Sequence, residues 1–386
     1  MPLPDYQGGS LVNLMTSLAL GLDGEAYGHA PLRLLPPEEV RGHRNVMLLV
    51  IDGLGHDLLL RHAQAATLNA HLRGRITSVF PSTTAAAVTT LLTGVSPAEH
   101  AMTGWHMYLR ELGSVLAVLP GRPRYGGCGY GKAGIDPRRL YGHVPFSTRH
   151  RTRCTLVSPS RIAYSDYNQS LLGRAQLRCF ESLDELFAQA TRSLRDGNGR
   201  QYLHAYWPEF DHLSHAHGAE SAQALAHLEE IDRALTAFLH AIDDTDTLLL
   251  VTADHGMTDA PDRIELEHHP ELADMLVLPL CGEPRAAWCH LRAGREAAFE
   301  RYVTDVFGDR VDLYRSESLI EQGWFGDAPP HAQLTSRIGD YALLPRDGRM
   351  IVDRLPHEDA LDIVGCHGGL SAAEMYVPLI VAKIGG

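Results

Sequence analysis

The run VMLLVI (46–51), followed at once by Asp52-Gly53-Leu54-Gly55, decides the fold of this chain. Unbroken apolar residues that stop at turn-forming residues read as a strand buried on both faces, the pattern of parallel sheets. QYLHAYW (201–207) and TLLLVTA (247–253) have the same texture. Helical patterns lie between them. The clearest is 219–242, where Leu225, Leu228, Ile231, Leu235 and Leu239 recur at spacings of three and four. Strands alternating with helices predict an α/β doubly wound fold, with a mostly parallel central sheet and helices on both faces.

Outward from these strands the texture changes twice. Residues 111–160 are rich in Gly, Pro and Arg and read as loops and short strands covering the sheet edge. Residues 277–345 carry a strand-like AAWCHLR, a helical REAAFERYVTDVFG, then VDLYR and SESLIEQGWFG, which together read as a small inserted α/β subdomain. The chain returns to the core with VPLIVAKI near its end. At about 150 residues per domain, 386 residues suggest two to three domains. The candidate site draws on most of the chain, however, and needs one continuous core. The expected organisation is a core of 1–276 and 346–386 with 277–345 inserted.

A hydrophobic fraction of 45% and a charged fraction of 21% exclude a disordered, collagenous or coiled-coil chain. The formal charge of −13 argues against a nucleic-acid surface, and an anionic substrate would need a local positive centre. Lys132 and Lys383 are the only lysines, whereas 22 histidines prompt a search for metal ligands. The six cysteines form no C-x-x-C pair and read as reduced thiols. MPLPDYQGGSLVNLM has no basic stretch ahead of an apolar run, so no signal peptide is expected. No apolar run approaches the roughly 18 residues of a membrane span. The expectation is a cytoplasmic protein with no membrane partner.

Each of the three strands ends in polar residues. VMLLVI leads to Asp52, QYLHAYW to Glu209, Asp211 and His215, and TLLLVTA to Asp254 and His255. Open α/β sheets bind ligands at the carboxyl ends of their strands. One Asp after one strand is most often a helix cap or turn residue. Three aspartates and two imidazoles delivered to one edge are expected to form a metal site. In FPSTTAAAVTTLLTG (80–94), Pro81 and Ser82 mark a turn, Ala85 to Leu92 can be helical and Gly94 is a stop. Thr83 and Thr84 therefore sit at a helix N-terminus, which favours an anion. The plainer reading makes Ser82 or Thr83 a simple N-cap. Asp211 and His215, four apart, can share a helical face, with His212 and His217 competing. His367 lies in the glycine loop GCHGG, free to reach a site, although a loop His is more often only that.

With these residues assembled, the chain resembles the alkaline phosphatase superfamily, in its nucleotide pyrophosphatase/phosphodiesterase (type I phosphodiesterase) branch. IDGLG, FPSTT…TLLTG, WPEFDHLSHAHG, VTADHGM and CHGG carry the resemblance, in the family's order from 46 to 378. Each motif alone is weak; together, at strand ends, they are specific. The resemblance implies an alkaline-phosphatase-like fold and two divalent ions, most often Zn²⁺ with Mn²⁺ also suited to the ligands. One ion would be held by Asp211, His215 and His367. The other would be held by Asp52, Asp254, His255 and Thr84. Thr84, fourth from Pro81, is the implied nucleophile, and Thr83 is the alternative one residue away.

The implied activity is hydrolysis of phosphodiester or pyrophosphate bonds in small nucleotide-like substrates through a covalent phospho-threonine. Two dications outweigh three carboxylates and would supply the local positive centre. The alternatives are a phosphomonoester or phosphonate hydrolase on the same core, or a metal-bound homologue without turnover. One departure stands out. Where the resemblance implies an Asn three residues after the nucleophile, donating to a phosphoryl oxygen, this chain has Ala87. Another donor is then needed, a backbone N–H or a residue from 105–135. Trp105, Tyr108, Trp207 and Phe210 are candidate stacking residues, with packing the plainer role for the last two. Arg122, Arg124 and Lys132 could reach a phosphate, with a solvated loop the plainer reading.

Overall fold

A computed structural model describes residues 1–25, 28–196 and 199–385. Its central sheet has seven strands among the described residues. Their order is Leu72–Thr77, Tyr376–Ile384, Thr247–Thr252, Asn45–Ile51, Gln201–Trp207, Arg153–Pro159 and Gln176–Phe180. Tyr376–Ile384 runs antiparallel to both neighbours, and the other strands run parallel to one another. The three apolar runs are the three adjacent middle strands. Every residue of Asn45–Ile51 and Thr247–Thr252 is buried, as two covered faces require. Helices Leu11–Gly21 and Thr84–Thr93 pack on each other, as do Leu183–Asp196 and Ala222–Ala241, around one hydrophobic core.

The sequence pattern missed Leu72–Thr77, Arg153–Pro159 and Gln176–Phe180. The first and last are edge strands, only partly buried and carrying Arg, so they lack the continuous apolar signal. Arg153–Pro159 is buried from Cys154 onward, but with Thr155 and Ser158 inside it reads as polar.

A second, seven-stranded sheet is antiparallel, in the order Val311–Arg315, Tyr341–Pro345, Ala286–Cys289, Cys281–Glu283, His106–Leu109, Ser114–Ala117, Arg122–Pro123. Four strands come from 277–345 and three from 106–123. The segment expected to lie over the edge of the central sheet therefore contributes strands to this second sheet. Gly282 faces His106 across the junction. A Cβ on Gly104 would fall 2.6 Å from the Gly282 Cα, so only glycine permits this approach.

The two sheets are tied by a buried ion pair. Arg285 donates from Nε to Glu374 Oε1 at 3.0 Å and from Nη2 to Oε2 at 2.8 Å. Glu374 also accepts the N–H groups of Gly369 and Ser371, fixing the loop that follows His367. Replacing Arg285 with Met would strand a carboxylate in the interior. The expected cost is about 3–5 kcal/mol, read from the denaturant midpoint.

Candidate active site

The parallel register brings the candidate residues to one edge. Ile51 lies opposite Trp207, and Val50 opposite Thr252, so Asp52, Asp211 and Asp254 leave the sheet side by side. Gly53 turns the chain away at φ +76°, and a Cβ there would sit 3.1 Å from the Asp211 Cβ. Helix Glu209–His217 places Asp211 and His215 on one face, with His215 Nε2 3.4 Å from Asp211 Oδ1. The carbonyl of Gly365 lies 2.8 Å from His215 Nδ1, which leaves Nε2 for the site. His367 is held in the same way, with Nδ1 3.3 Å from the Ser82 carbonyl and Nε2 3.9 Å from Asp211 Oδ1. Its ring stacks on His255 at 3.7 Å between centroids.

His255 is the centre of the other half. Its Nδ1 faces the Gly256 carbonyl at 3.0 Å. Its Nε2 lies 3.1 Å from Thr84 Oγ1, 3.3 Å from Asp52 Oδ1 and 3.5 Å from Asp254 Oδ2. Gly256 is required by crowding, since a Cβ there would fall 1.9 Å from the Ala373 carbonyl oxygen. Thr84 opens helix Thr84–Thr93, which Gly94 closes in the left-handed conformation. Thr83 is almost wholly buried and donates to Glu283 Oε1 at 2.5 Å, whereas Thr84 is half-buried and faces the site.

Seven residues named from the sequence thus converge: Asp52, Thr84, Asp211, His215, Asp254, His255 and His367. Their ligand atoms form two close groups among the described residues, Asp211 with His215 and His367, and Asp52 with Asp211 and His255. Asp211 therefore faces both groups. Asp254 flanks the second group rather than completing it. His212 and His217 join neither group.

The carboxyl of Asp52 is held well above the usual carboxylate range, by burial first and then by Asp211 and Asp254. Burial also raises Asp211, against the pull of His215 and His255. Burial, followed by His255 and His215, holds His367 well below the usual imidazole range. Asp52 Oδ1, Asp211 Oδ1 and Asp254 Oδ2 are buried without a hydrogen-bond partner. Buried carboxylate oxygens left unpaired are costly unless a cation meets them. The donor set of Asp oxygens and His nitrogens fits divalent metal ions.

Position 87 does not serve the site. Ala87 is wholly buried in the main core, and its N–H donates to the Thr83 carbonyl at 2.9 Å. A side chain there enters the core instead of reaching a phosphoryl oxygen. Arg124 is likewise not a solvated loop residue: it is buried, chelating Glu358 at 2.8 and 2.9 Å. Arg122 and Lys132 are exposed on the wall of a cavity beside Thr84. Trp207 stacks on Phe180 and Phe210 is buried, so both are packing residues. Tyr108 packs edge-on against His290, whereas Trp105 is 40% exposed at the site.

Two contributors were missed in the sequence. Tyr206 donates its hydroxyl to Asp52 Oδ2 from the neighbouring strand. Glu283, from the second sheet, accepts from Thr83 and from the Trp105 N–H at 2.7 Å. Burial raises its carboxyl to about 7. A polar residue late in a buried strand could have pointed to Tyr206. Nothing local could have tied 283 to 83.

The sequence profile of the family described as type I phosphodiesterase / nucleotide pyrophosphatase matches residues 46–370. The chain belongs to that family. Solved structures agree on the fold. Murine ectonucleotide pyrophosphatase/phosphodiesterase 5 superposes with a TM-score of 0.66 at 17% identity, covering 86% of this chain and 87% of that one. An inactive variant of the murine protein in complex with AMP gives 0.65 at 17%, over 86% and 87%. Phosphonoacetate hydrolase from Sinorhizobium meliloti 1021, in complex with phosphonoformate, gives 0.64 at 19%, over 89% and 91%. A search of curated proteins finds no match to this sequence. This type I phosphodiesterase family member is a phosphoester hydrolase on an alkaline-phosphatase-like fold. Among its described residues no helix is long and apolar enough to cross a membrane.

Proposed function

We propose that the protein is a two-metal hydrolase that cleaves phosphodiester or pyrophosphate bonds in small nucleotide-like substrates, with Thr84 as nucleophile. The observation that carries this reading is the trio of buried, unpartnered carboxylate oxygens of Asp52, Asp211 and Asp254 gathered at His255, whose Nε2 meets the Thr84 hydroxyl. Asp211, His215 and His367 would hold one ion, and Asp52, Asp254, His255 and Thr84 the other, with Zn²⁺ the best fit and Mn²⁺ next. The bound ions would supply positive charge and lower the pKa of the Thr84 hydroxyl.

The chain's own residues do the rest. Thr84 Oγ1 gives up its proton and attacks phosphorus, the P–O bond to one arm breaks and that arm leaves, protonated, as its alcohol or phosphate. Water then cleaves the phospho-threonine, restoring the Thr84 hydroxyl and releasing the other arm as its phosphate monoester. The first turn of helix Thr84–Thr93 presents backbone N–H groups free of intrahelical partners. These support a developing oxyanion in place of the Asn absent at 87. Tyr206, donating to Asp52 Oδ2, orients that carboxylate so that Oδ1 faces the site. Glu283 anchors Thr83 and leaves Thr84 as the free hydroxyl.

All six cysteines are unpaired, which supports the cytoplasmic reading. Metal analysis of the purified protein should return close to two equivalents of a divalent ion. Bis(p-nitrophenyl) phosphate should be hydrolysed with the higher kcat/KM, ahead of p-nitrophenyl phosphate and phosphonoacetate. A clear preference for either of the latter would replace the diesterase reading with the monoester or phosphonate one.

A further inference from the structure

Two cavities meet at Thr84, one of about 1210 Å³ and one of about 680 Å³. Thr84, Trp105, Asp211 and His212 line both, so the half-exposed indole of Trp105 stands between them. A monoester would need a single arm pocket, whereas this site offers two.

The two cavities differ in charge. Apart from the candidate ligands, the larger is lined by Arg122, Lys132 and Arg161 against a single carboxylate, Asp166. Arg161 lies 3.6 Å from Glu209, while Arg122 and Lys132 have no ion pair among the described residues. The deeper wall of this cavity is apolar, with Val88, Leu92 and Leu156. The smaller cavity is lined by Asp353, Glu358, Asp359 and Asp362 against Arg124 and Arg354, together with Glu283, which is buried and engaged by Thr83 and Trp105. Arg124 and Glu358 chelate one another and cancel, which leaves Asp353, Asp359 and Asp362 against Arg354, itself 3.7 Å from Glu267. In a chain of net charge −13 with two lysines, a cationic wall in a cavity that Thr84 borders is a local exception.

We infer that the site sorts the two arms of its substrate by charge. The substrate class is an asymmetric phosphodiester or anhydride, with its anionic arm in the larger cavity. The opposite arm, in the smaller cavity, is cationic in preference to neutral. Charge lining of a cleft selects between ligands of one shape through complementarity at the bound position. This inference rests on the diesterase reading above.

The test uses the metal-loaded full-length protein and three p-nitrophenyl phosphodiesters whose second arm is choline, 3,3-dimethylbutyl or 3-carboxypropyl. The dimethylbutyl arm is the neutral match of choline. The choline ester should exceed it in kcat/KM by about tenfold, and added 0.5 M salt should shrink that ratio. The double variant Arg122→Gln/Lys132→Gln should lower kcat/KM for the carboxypropyl ester at least about five times more than for the dimethylbutyl ester. Rates within twofold of one another for all three arms, or a preference untouched by salt, would overturn charge sorting and leave the diesterase reading standing. Hydrolysis of none of the three would overturn both.

Discussion

Thr84→Ala is expected to lower kcat for bis(p-nitrophenyl) phosphate by at least about 10³-fold while metal content stays nearly intact. The hydroxyl sits half-buried 3.1 Å from His255 Nε2 and borders both cavities, so its loss removes the proposed attacking atom. The ions would keep their remaining carboxylate and imidazole ligands. Thr83→Ala is the control. It leaves Glu283 Oε1 buried with only the Trp105 N–H, an expected cost of about 1–3 kcal/mol in stability and a smaller loss of rate. If Thr83→Ala abolished turnover at unchanged Tm and Thr84→Ala did not, the assignment of the nucleophile would move by one residue.

Asp211→Asn should have a comparable effect through a different route. Asp211 Oδ1 faces His215 and His367 on one side and the Asp52–His255 group on the other, so one substitution weakens both clusters. Metal content should fall, and kcat/KM should drop by about 10²-fold or more. Chelation of the wild-type protein should reproduce the loss, and Zn²⁺ or Mn²⁺ should reverse it.

The metal-free protein should also show a pH signature. The folded-state pKa values of Asp52 and Asp211 are raised by burial, above those of the unfolded chain. The folded state then holds more protons, so this contribution to stability is present below the ordinary Asp pKa of about 4 and is lost as pH rises toward the folded values. Thermal unfolding of the metal-free protein should therefore weaken from acid to neutral pH, and added metal should stabilise it most at neutral pH. A metal-free Tm that rose steadily over that range would contradict this account.

Much of the architecture was legible because burial on two faces writes itself as an unbroken apolar run. Asn45–Ile51, Gln201–Trp207 and Thr247–Thr252 announce both the parallel sheet and the edge that carries the candidate site, since each leads to a carboxylate or imidazole there. The spacing of Asp211 and His215 made the shared helical face readable, and Pro81 and Ser82 marked the turn that puts Thr84 at a helix start. Those are local signals, fixed by strand and helix periods. Tertiary structure alone decided the rest. Glu283 meets Thr83 only because strands from 106–123 and 277–345 join in one sheet, and Tyr206 meets Asp52 only through strand order. Arg124 looked solvated until Glu358, 234 residues away, enclosed it. A side chain's partner across the chain depends on which elements become neighbours, and neither period nor composition encodes that.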